Sequence, residues 1–214
     1  GNHEQCVLKK CSSGGAQGFK SYFRWPRNDY PKQGAMWFST DYQGVRFIVL
    51  DSFGKDVARQ AAFLDQELAE NPHQWSVVLM HSGPFASTDK RKNTAMRKHF
   101  LPVMERRNVD LVLAGHDHVY SRGYRQANGP VFLTSVTGTK YYTPSIQDWR
   151  GSGATRVKAA KRVATYQAVK VDGDTMTIRT VVGHRGKGAS GSVKRGQTLD
   201  SIVIRKSGDT KTVQ

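Results

Sequence analysis

Two short apolar runs, each ending in a histidine, constrain the fold of this chain more than any other feature. The runs are WSVVLMH, ending at His81, and VDLVLAGH, ending at His116. Uninterrupted apolar strands of this length are typical of a parallel sheet that is covered on both faces. Roughly thirty residues lie between the runs, which suffices for the helical crossover that joins two parallel strands. Helical spacing in this stretch is shown by Met96, Phe100, Val103 and Met104, with Pro102 expected to kink or split the helix.

The remaining elements follow from periodicity and turn residues. AMWFSTDY and VRFIVLDS predict two strands around a turn at Gly44, and DVARQAAFLDQELAENP predicts a helix closed by Pro72. Beyond Tyr120 the pattern indicates antiparallel strands in GPVFLTSVTG, RVATYQAVKV, TMTIRTVV and LDSIVIRK, with a hairpin at Asp172-Gly173. The stretches RGSGATRVKAAKR and GHRGKGASGSVKRG are expected to be basic loops. The sequence therefore predicts an α/β (α+β) fold.

Composition and charge indicate a globular chain that attracts anions. The chain has 214 residues with 33 Lys and Arg against 17 Asp and Glu, a formal net charge of +16. This balance favours phosphorylated small molecules, nucleic acid or acidic surfaces as partners. No apolar run reaches the roughly 18 residues of a membrane span. Cys6 and Cys11 leave a local disulfide and two free thiols both open.

Histidines recur where binding residues of α/β sheets are found. GNHE places Asn2 and His3 at the start of the chain, His81 ends one apolar strand, and GHDH places His116 and His118 after the next. Because the carboxyl ends of parallel strands share one edge of the sheet, we expect these side chains to converge. Imidazole suits borderline metals such as Zn and Fe, and the neutral oxygen of an asparagine can supply a further ligand.

The three motifs GNHE, VLMH and GHDH resemble, in order and spacing, the last three signature blocks of the calcineurin-like metallophosphoesterases. The resemblance runs from residue 1 to about residue 140, and GHDHVYSR together with FIVLDS is most similar to the purple acid phosphatase branch. It implies a β-sandwich flanked by helices, two metal ions of Fe, Zn or Mn, and hydrolysis of a phosphorylated small molecule or nucleotide. The family resemblance also favours a secreted or periplasmic location.

Roles for the motif residues are implied by the same resemblance. Asn2, His81 and His116 would bind one metal ion and His118 the other. His3 would act as the catalytic residue without binding metal, stabilising charge on the phosphate or protonating the leaving group. Two cations about 3.5 to 4 Å apart can polarise phosphoryl oxygens and lower the pKa of a shared water.

Two earlier blocks of the family, which supply aspartate ligands, do not occur in a plausible place in this chain. The resemblance therefore implies that the N-terminal part of the catalytic domain is missing and that a preceding segment of the same protein is a partner. On this interpretation, residues 1–205 form an incomplete metallophosphoesterase domain and residues 206–214 a C-terminal tail. We expect the isolated chain to be weakly active or inactive.

Residues that would contact the substrate are less constrained by the motifs. Basic residues in SGPFASTDKRKN could bind phosphate as point and forked charges, and a solvated loop tip is an equally open interpretation. Asp51 and Asp117 could orient ligand imidazoles, with a turn role equally open for Asp51. The candidates for substrate binding are Lys90, Arg91, Lys92 and Tyr120.

The alternative function is a non-catalytic basic domain that binds nucleic acid or another anionic polymer through its Lys and Arg loops. The chain contains no recognised nucleic-acid motif, and its basic residues are dispersed instead of alternating with a stacking platform. The leading prediction is therefore a metal-dependent phosphatase or phosphodiesterase.

Overall fold

The computed structural model of this protein describes residues 36–54, 56–208 and 210–214. Asn2, His3, Cys6 and Cys11 lie outside the described residues. Within the described part, the chain forms two β-sheets and four helices. No helix in this part has the length and hydropathy needed to cross a membrane.

The larger sheet has seven strands in the order β1-β2-β3-β4-β6-β5-β7. Strands β2, β3, β4 and β6 are mutually parallel, whereas β1, β5 and β7 each pair with an antiparallel neighbour. The parallel core predicted from the apolar runs is thus confirmed. The strands are β1 (Phe38–Tyr42), β2 (Val45–Leu50), β3 (Trp75–Met80), β4 (Leu111–Ala114), β5 (Tyr120–Tyr124), β6 (Val131–Thr134) and β7 (Thr155–Ala160).

The smaller sheet is a four-stranded antiparallel meander in the order β11-β10-β9-β8. Its strands β8 and β9 form the hairpin predicted at Asp172-Gly173, where Gly173 adopts the left-handed conformation with φ +51°. Only glycine adopts such a φ without steric cost, which explains the strength of the turn signal. The strands are β8 (Val163–Asp172), β9 (Thr175–Arg185), β10 (Thr198–Ser207) and β11 (Thr210–Val213).

Four helices complete the described part: α1 (Val57–Ala69), α2 (Thr94–His99), α3 (Leu101–Arg106) and α4 (Gln147–Arg150). Helix α1 joins β2 to β3, and its buried residues include Phe63 and Leu64. The crossover from β3 to β4 is divided into α2 and α3 at Phe100. Pro102 lies in the first turn of α3, where its missing N–H is not needed, so the expected splitting of this helix is confirmed.

Alternate residues of the central strands face two different cores. Val78 and Val112 pack with the helices, in a cluster that includes Phe63. Val77 and Leu111 face the smaller sheet, in a cluster that includes Ile178, Ile202 and Ile204. Because side chains alternate along a strand, covering both faces requires apolar residues at every position. The uninterrupted runs of the sequence therefore form the middle layer of a sandwich flanked by helices.

Two expectations about the C-terminal half were wrong. Strand β6 was expected to be antiparallel, but it pairs parallel with β4 and antiparallel with β5. The expected basic loop at residues 150–162 contains the edge strand β7, whose exposed Lys158 is typical of a protected edge. Residues 206–214, which the sequence analysis expected to form a C-terminal tail, include β11, which pairs with β10.

A buried lysine explains why the C-terminal strand is held in the fold. The Lys211 ammonium group donates hydrogen bonds to the carbonyls of Asn108 and Val109, at 3.1 and 2.9 Å. It lies 3.6 Å from the fully buried carboxylate of Asp110, which also accepts a 2.8 Å hydrogen bond from Lys206. Burial lowers the pKa of Lys211 to about 8, against the opposing effect of Asp110.

We predict that stability rises with pH between about 8 and 10.5 in a way that depends on Lys211. The folded protein has released the Lys211 proton in this interval, whereas the unfolded chain, with the ordinary lysine pKa of 10.5, still binds it. Raising the pH therefore favours the folded state by up to about 1.4 kcal/mol per pH unit. Urea unfolding at pH 7 to 10 should show a flatter pH dependence for Lys211→Met than for the wild type.

The matched control is Lys170→Met, which removes an exposed lysine on β8. This variant should keep the pH dependence of the wild type. Equal slopes for the wild type and Lys211→Met would contradict the assignment.

Candidate active site

Two histidines from adjacent parallel strands meet at the carboxyl edge of the larger sheet. His81 directly follows β3, and His116 lies two residues beyond the end of β4. The strands are paired with Leu79 opposite Leu113, so both chains leave the sheet at the same edge. The imidazole centroids are 5.1 Å apart in an edge-to-face arrangement. Backbone pairing continues past the strands, because the amide of Gly115 donates to the carbonyl of His81 at 2.9 Å.

A phenylalanine that the sequence analysis missed lies beside this pair. Phe53 follows β2, the neighbouring parallel strand, and its ring centroid is 5.8 Å from that of His81 and 5.2 Å from that of His116. Its side chain is 38% exposed, so it shields one side of the imidazoles and still contacts solvent. Its position directly after FIVLDS, at the same edge of the sheet, was a usable signal, but the sequence analysis considered FIVLDS only as a strand and as part of the family resemblance.

The loop carrying Phe53 is held by its own polar residues. The Asp51 carboxylate accepts a 3.1 Å hydrogen bond from the amide of Phe53. The amide of Asp51 donates to the Gln60 side chain, which in turn donates to the carbonyl of Asp51. These contacts give Asp51 the turn role that the sequence left open.

His118 is oriented by a loop that follows β6. A carbonyl oxygen only accepts hydrogen bonds, so the 2.9 Å contact between His118 Nδ1 and the carbonyl of Lys140 assigns the proton to Nδ1. In the neutral imidazole the Nε2 atom then carries the lone pair, which is the state required for binding a metal. The amide of Tyr142 donates to the carbonyl of His118 at 3.2 Å, and the two rings lie 5.0 Å apart.

The turn that carries His116 and His118 is strained. Both residues have left-handed backbone conformations, with φ +67° and +52°. For residues other than glycine, such conformations cost on the order of 1 kcal/mol each and persist only when neighbouring contacts enforce them. Two histidines in this conformation within three residues therefore require an anchor, that is, contacts from other loops that hold the turn.

Asp117 and Arg91 supply that anchor. The Asp117 side chain is buried and accepts hydrogen bonds from the amide of Ser87 at 2.6 Å and from Arg91 Nη1 at 2.9 Å. The same Arg91 nitrogen donates to the carbonyl of His116 at 2.8 Å. Burial raises the pKa of Asp117, and the hydrogen bonds from Ser87 and Arg91 oppose this effect. The loop after β3 is thereby tied to the turn after β4.

The three basic residues singled out in the sequence line one polar cleft beside this turn. Lys90, Arg91 and Lys92 border a cavity of about 750 Å³, whose wall includes an ion pair of 2.6 Å between Arg97 and Asp148. Lys90 and Lys92 are exposed, whereas Arg91 extends from the cleft to the carbonyl of His116. The cleft is therefore lined by two exposed lysines and by an arginine that hydrogen bonds hold in place.

Tyr120 was wrongly assigned to substrate binding. Its side chain is fully buried between the two sheets, where its hydroxyl donates to Asp200 at 2.7 Å and accepts from Thr180 at 3.2 Å. Burial and the adjacent carboxylate raise the pKa of Tyr120 well above the usual range. Arg122 also binds Asp200, at 2.6 Å, so this part of GHDHVYSR joins the two sheets and cannot reach a substrate.

Three of the residues that the family resemblance assigns to metal binding lie in the described part of the chain. His81, His116 and His118 are present at the sheet edge, but no group of three or more His, Cys, Asp or Glu side chains is arranged for a metal within residues 36–54, 56–208 and 210–214. Asn2 and His3 lie outside these residues. The imidazole donors fit borderline metals such as Zn and Fe, and the fixed tautomer of His118 is consistent with such a role.

Comparison with known proteins relates the chain to phosphatases. A family model described as calcineurin-like phosphoesterase matches residues 1–120. The chain is 30% identical over 158 residues to phosphoenolpyruvate phosphatase of Allium cepa, covering 67% of this chain and 31% of that protein. It is 29% identical over 154 residues to purple acid phosphatase 23 of Arabidopsis thaliana, covering 64% and 32%. The chain thus spans about a third of the length of these curated relatives.

A solved structure shows the same fold. The purple acid phosphatase from yellow lupin (Lupinus luteus) seeds superposes with a TM-score of 0.67 at 17% identity, covering 96% of this chain and 39% of that one. At this identity the likeness concerns the fold alone. Together with the sequence matches, it confirms the resemblance carried by GNHE, VLMH and GHDH.

We predict that Arg91 contributes to stability more than the lysines beside it. Arg91→Ala leaves the buried Asp117 and the strained His116 turn without their cationic partner, which should cost about 1.5 to 3 kcal/mol. Lys90→Ala and Lys92→Ala remove exposed charges from the same loop and should change the free energy of unfolding by less than about 0.5 kcal/mol. Urea unfolding followed by circular dichroism measures all three, and equal effects would contradict the anchor role.

Proposed function

The chain belongs to the calcineurin-like phosphoesterase family, and on that premise we propose that it hydrolyses phosphoesters at a centre of two metal ions. The substrate is a phosphorylated small molecule or a nucleotide. The observation that carries the proposal is the 5.1 Å separation of the His81 and His116 rings at the ends of adjacent parallel strands. The non-catalytic alternative, binding of nucleic acid or another anionic polymer, finds no support in these relatives.

The proposed ligands are Asn2, His81 and His116 for one ion and His118 for the other, with Fe, Zn or Mn as the metals. The described imidazoles support this assignment through their shared sheet edge and through the protonated Nδ1 of His118. When bound, such ions polarise phosphoryl oxygens and lower the pKa of water. The family resemblance extends the proposal to a secreted or periplasmic location.

The chain's own residues have distinct tasks in this proposal. Lys90 and Lys92 attract the phosphate through the positive cleft, an effect strengthened by the net charge of +16. Phe53 limits the access of water to one side of His81 and His116. Lowering the local dielectric in this way strengthens the interaction of cations with the phosphate.

His3 is proposed to donate the proton to the leaving group. An alkoxide or phenoxide leaves more readily when it is protonated as the ester bond breaks, and imidazolium has a suitable pKa for this step near neutral pH. The role of His3 rests on the family resemblance, since this residue lies outside the described part.

The two ends of β3 provide a test of the metal assignment. In the full-length protein, His81→Ala should remove bound metal and aryl phosphatase activity together. His73→Ala is the matched control, because His73 precedes the opposite end of the same strand, where its Nε2 lies 3.2 Å from the Asp41 carboxylate. It should keep both properties. Metal content by mass spectrometry and hydrolysis of 4-nitrophenyl phosphate give the readouts, and full metal content in His81→Ala would exclude His81 as a ligand.

A second prediction separates the proton donor from the ligands. His3→Ala should retain metal but lower kcat by about 10²- to 10⁴-fold, the usual contribution of a positioned acid. The loss should shrink for esters with acidic phenols as leaving groups, because these leave without a proton. Loss of metal from His3→Ala, or an equal loss for all leaving groups, would refute the assigned role.

A further inference from the structure

A cationic, aromatic cluster lies next to His118 on the loop that follows β6. The Tyr142 ring contacts the His118 ring, with 5.0 Å between centroids. The guanidinium carbon of Arg91 lies 5.2 Å from the centroid of the Tyr142 ring, and the ammonium nitrogen of Lys140 lies 5.3 Å from it. Two cations therefore border one phenol ring beside a histidine of the proposed metal centre.

The positive charge of this cluster is only partly compensated. Arg91 pairs with the buried Asp117, and its side chain is 29% exposed. Lys140 is exposed and takes part in none of the ion pairs found among residues 36–54, 56–208 and 210–214. Two neighbouring cations repel each other, and an anion bound between them offsets this repulsion by attracting both. The cluster is thus suited to receive a negatively charged group.

We infer that Lys140, Arg91 and Tyr142 form a subsite for a second anionic group of the substrate, a carboxylate or a second phosphate, next to the phosphoester that is cleaved. The inference rests on the proposed function, which places the reacting phosphoester at His118. Guanidinium and ammonium groups both form charge-assisted hydrogen bonds with such anions, and the phenol hydroxyl adds a neutral donor. Esters with a second negative charge are then preferred over esters with a neutral leaving group.

The side chains of the subsite can be changed without removing the support of His118. That support comes from the backbone, through the carbonyl of Lys140 and the amide of Tyr142. Lys140→Ala and Tyr142→Phe keep both backbone groups. A purely structural role of the loop therefore predicts no change in substrate preference for these variants.

A binding experiment on metal-free protein tests the subsite independently of catalysis. Inorganic pyrophosphate is titrated by calorimetry into the chelator-treated full-length protein. Lys140→Ala should weaken binding about tenfold, the effect of losing one charge-assisted contact. The matched control, Lys170→Ala, removes an exposed lysine of β8 and should bind as the wild type does. Unchanged binding by Lys140→Ala, with binding lost in Lys92→Ala, would place the anion in the cleft and overturn the inference.

A kinetic experiment tests the preference in the metal-loaded protein. The ratio of kcat/KM for 4-carboxyphenyl phosphate to that for phenyl phosphate cancels effects common to both esters. Lys140→Ala should lower this ratio about tenfold, and Tyr142→Phe should lower it by a smaller factor. Equal losses for both esters, or no loss for either, would overturn the inference. Failure of the wild type to hydrolyse either ester would contradict the proposed function, and the pyrophosphate titration would then decide on the subsite alone.

Discussion

The parallel pairing of β3 with β4 is the constraint on which the rest of the structure depends. Val77 and Leu111 face the smaller sheet, whereas Val78 faces the helices, so both faces of each strand are buried. A shift of one residue would exchange these faces and place apolar side chains against the wrong layer. The apolar core thereby fixes the register, and the register brings His81 and His116 out at the same edge.

Polar contacts between the loops at this edge of the sheet then orient the histidines, which the packing of the core only brings near one another. Asp117 is buried among the loops and joins the amide of Ser87 to Arg91, which also binds the carbonyl of His116. A buried carboxylate without hydrogen-bond partners costs free energy, so the contacts of Asp117 favour one arrangement of these loops. The left-handed conformations of His116 and His118 persist because these contacts hold the turn. The core thus sets the position of the site, and the loops set its orientation.

The errors of the sequence analysis share a cause. Tyr120 was named as a candidate for substrate binding, but a strand directs alternate residues inward, and Tyr120 begins β5 with its side chain in the core. The basic stretch at residues 150–162 was interpreted as a loop, although an edge strand carries charges for the same reason that a loop does, exposure to water. Local composition does not distinguish these cases, because exposure depends on neighbours that are distant in the sequence.

The sequence by itself determined the parallel core, the helix α1, the division of the crossover at Pro102 and the family, since each rests on local periodicity, on backbone chemistry or on short motifs. It also indicated which histidines end apolar strands. Only the tertiary structure decided that Phe53 lies beside these histidines, that the carbonyl of Lys140 fixes the tautomer of His118, and that Tyr142 contacts its ring. These contacts join loops from different strands, with 22 positions separating His118 from Lys140. Periodicity reports which face of an element is buried, but only packing decides which loops meet.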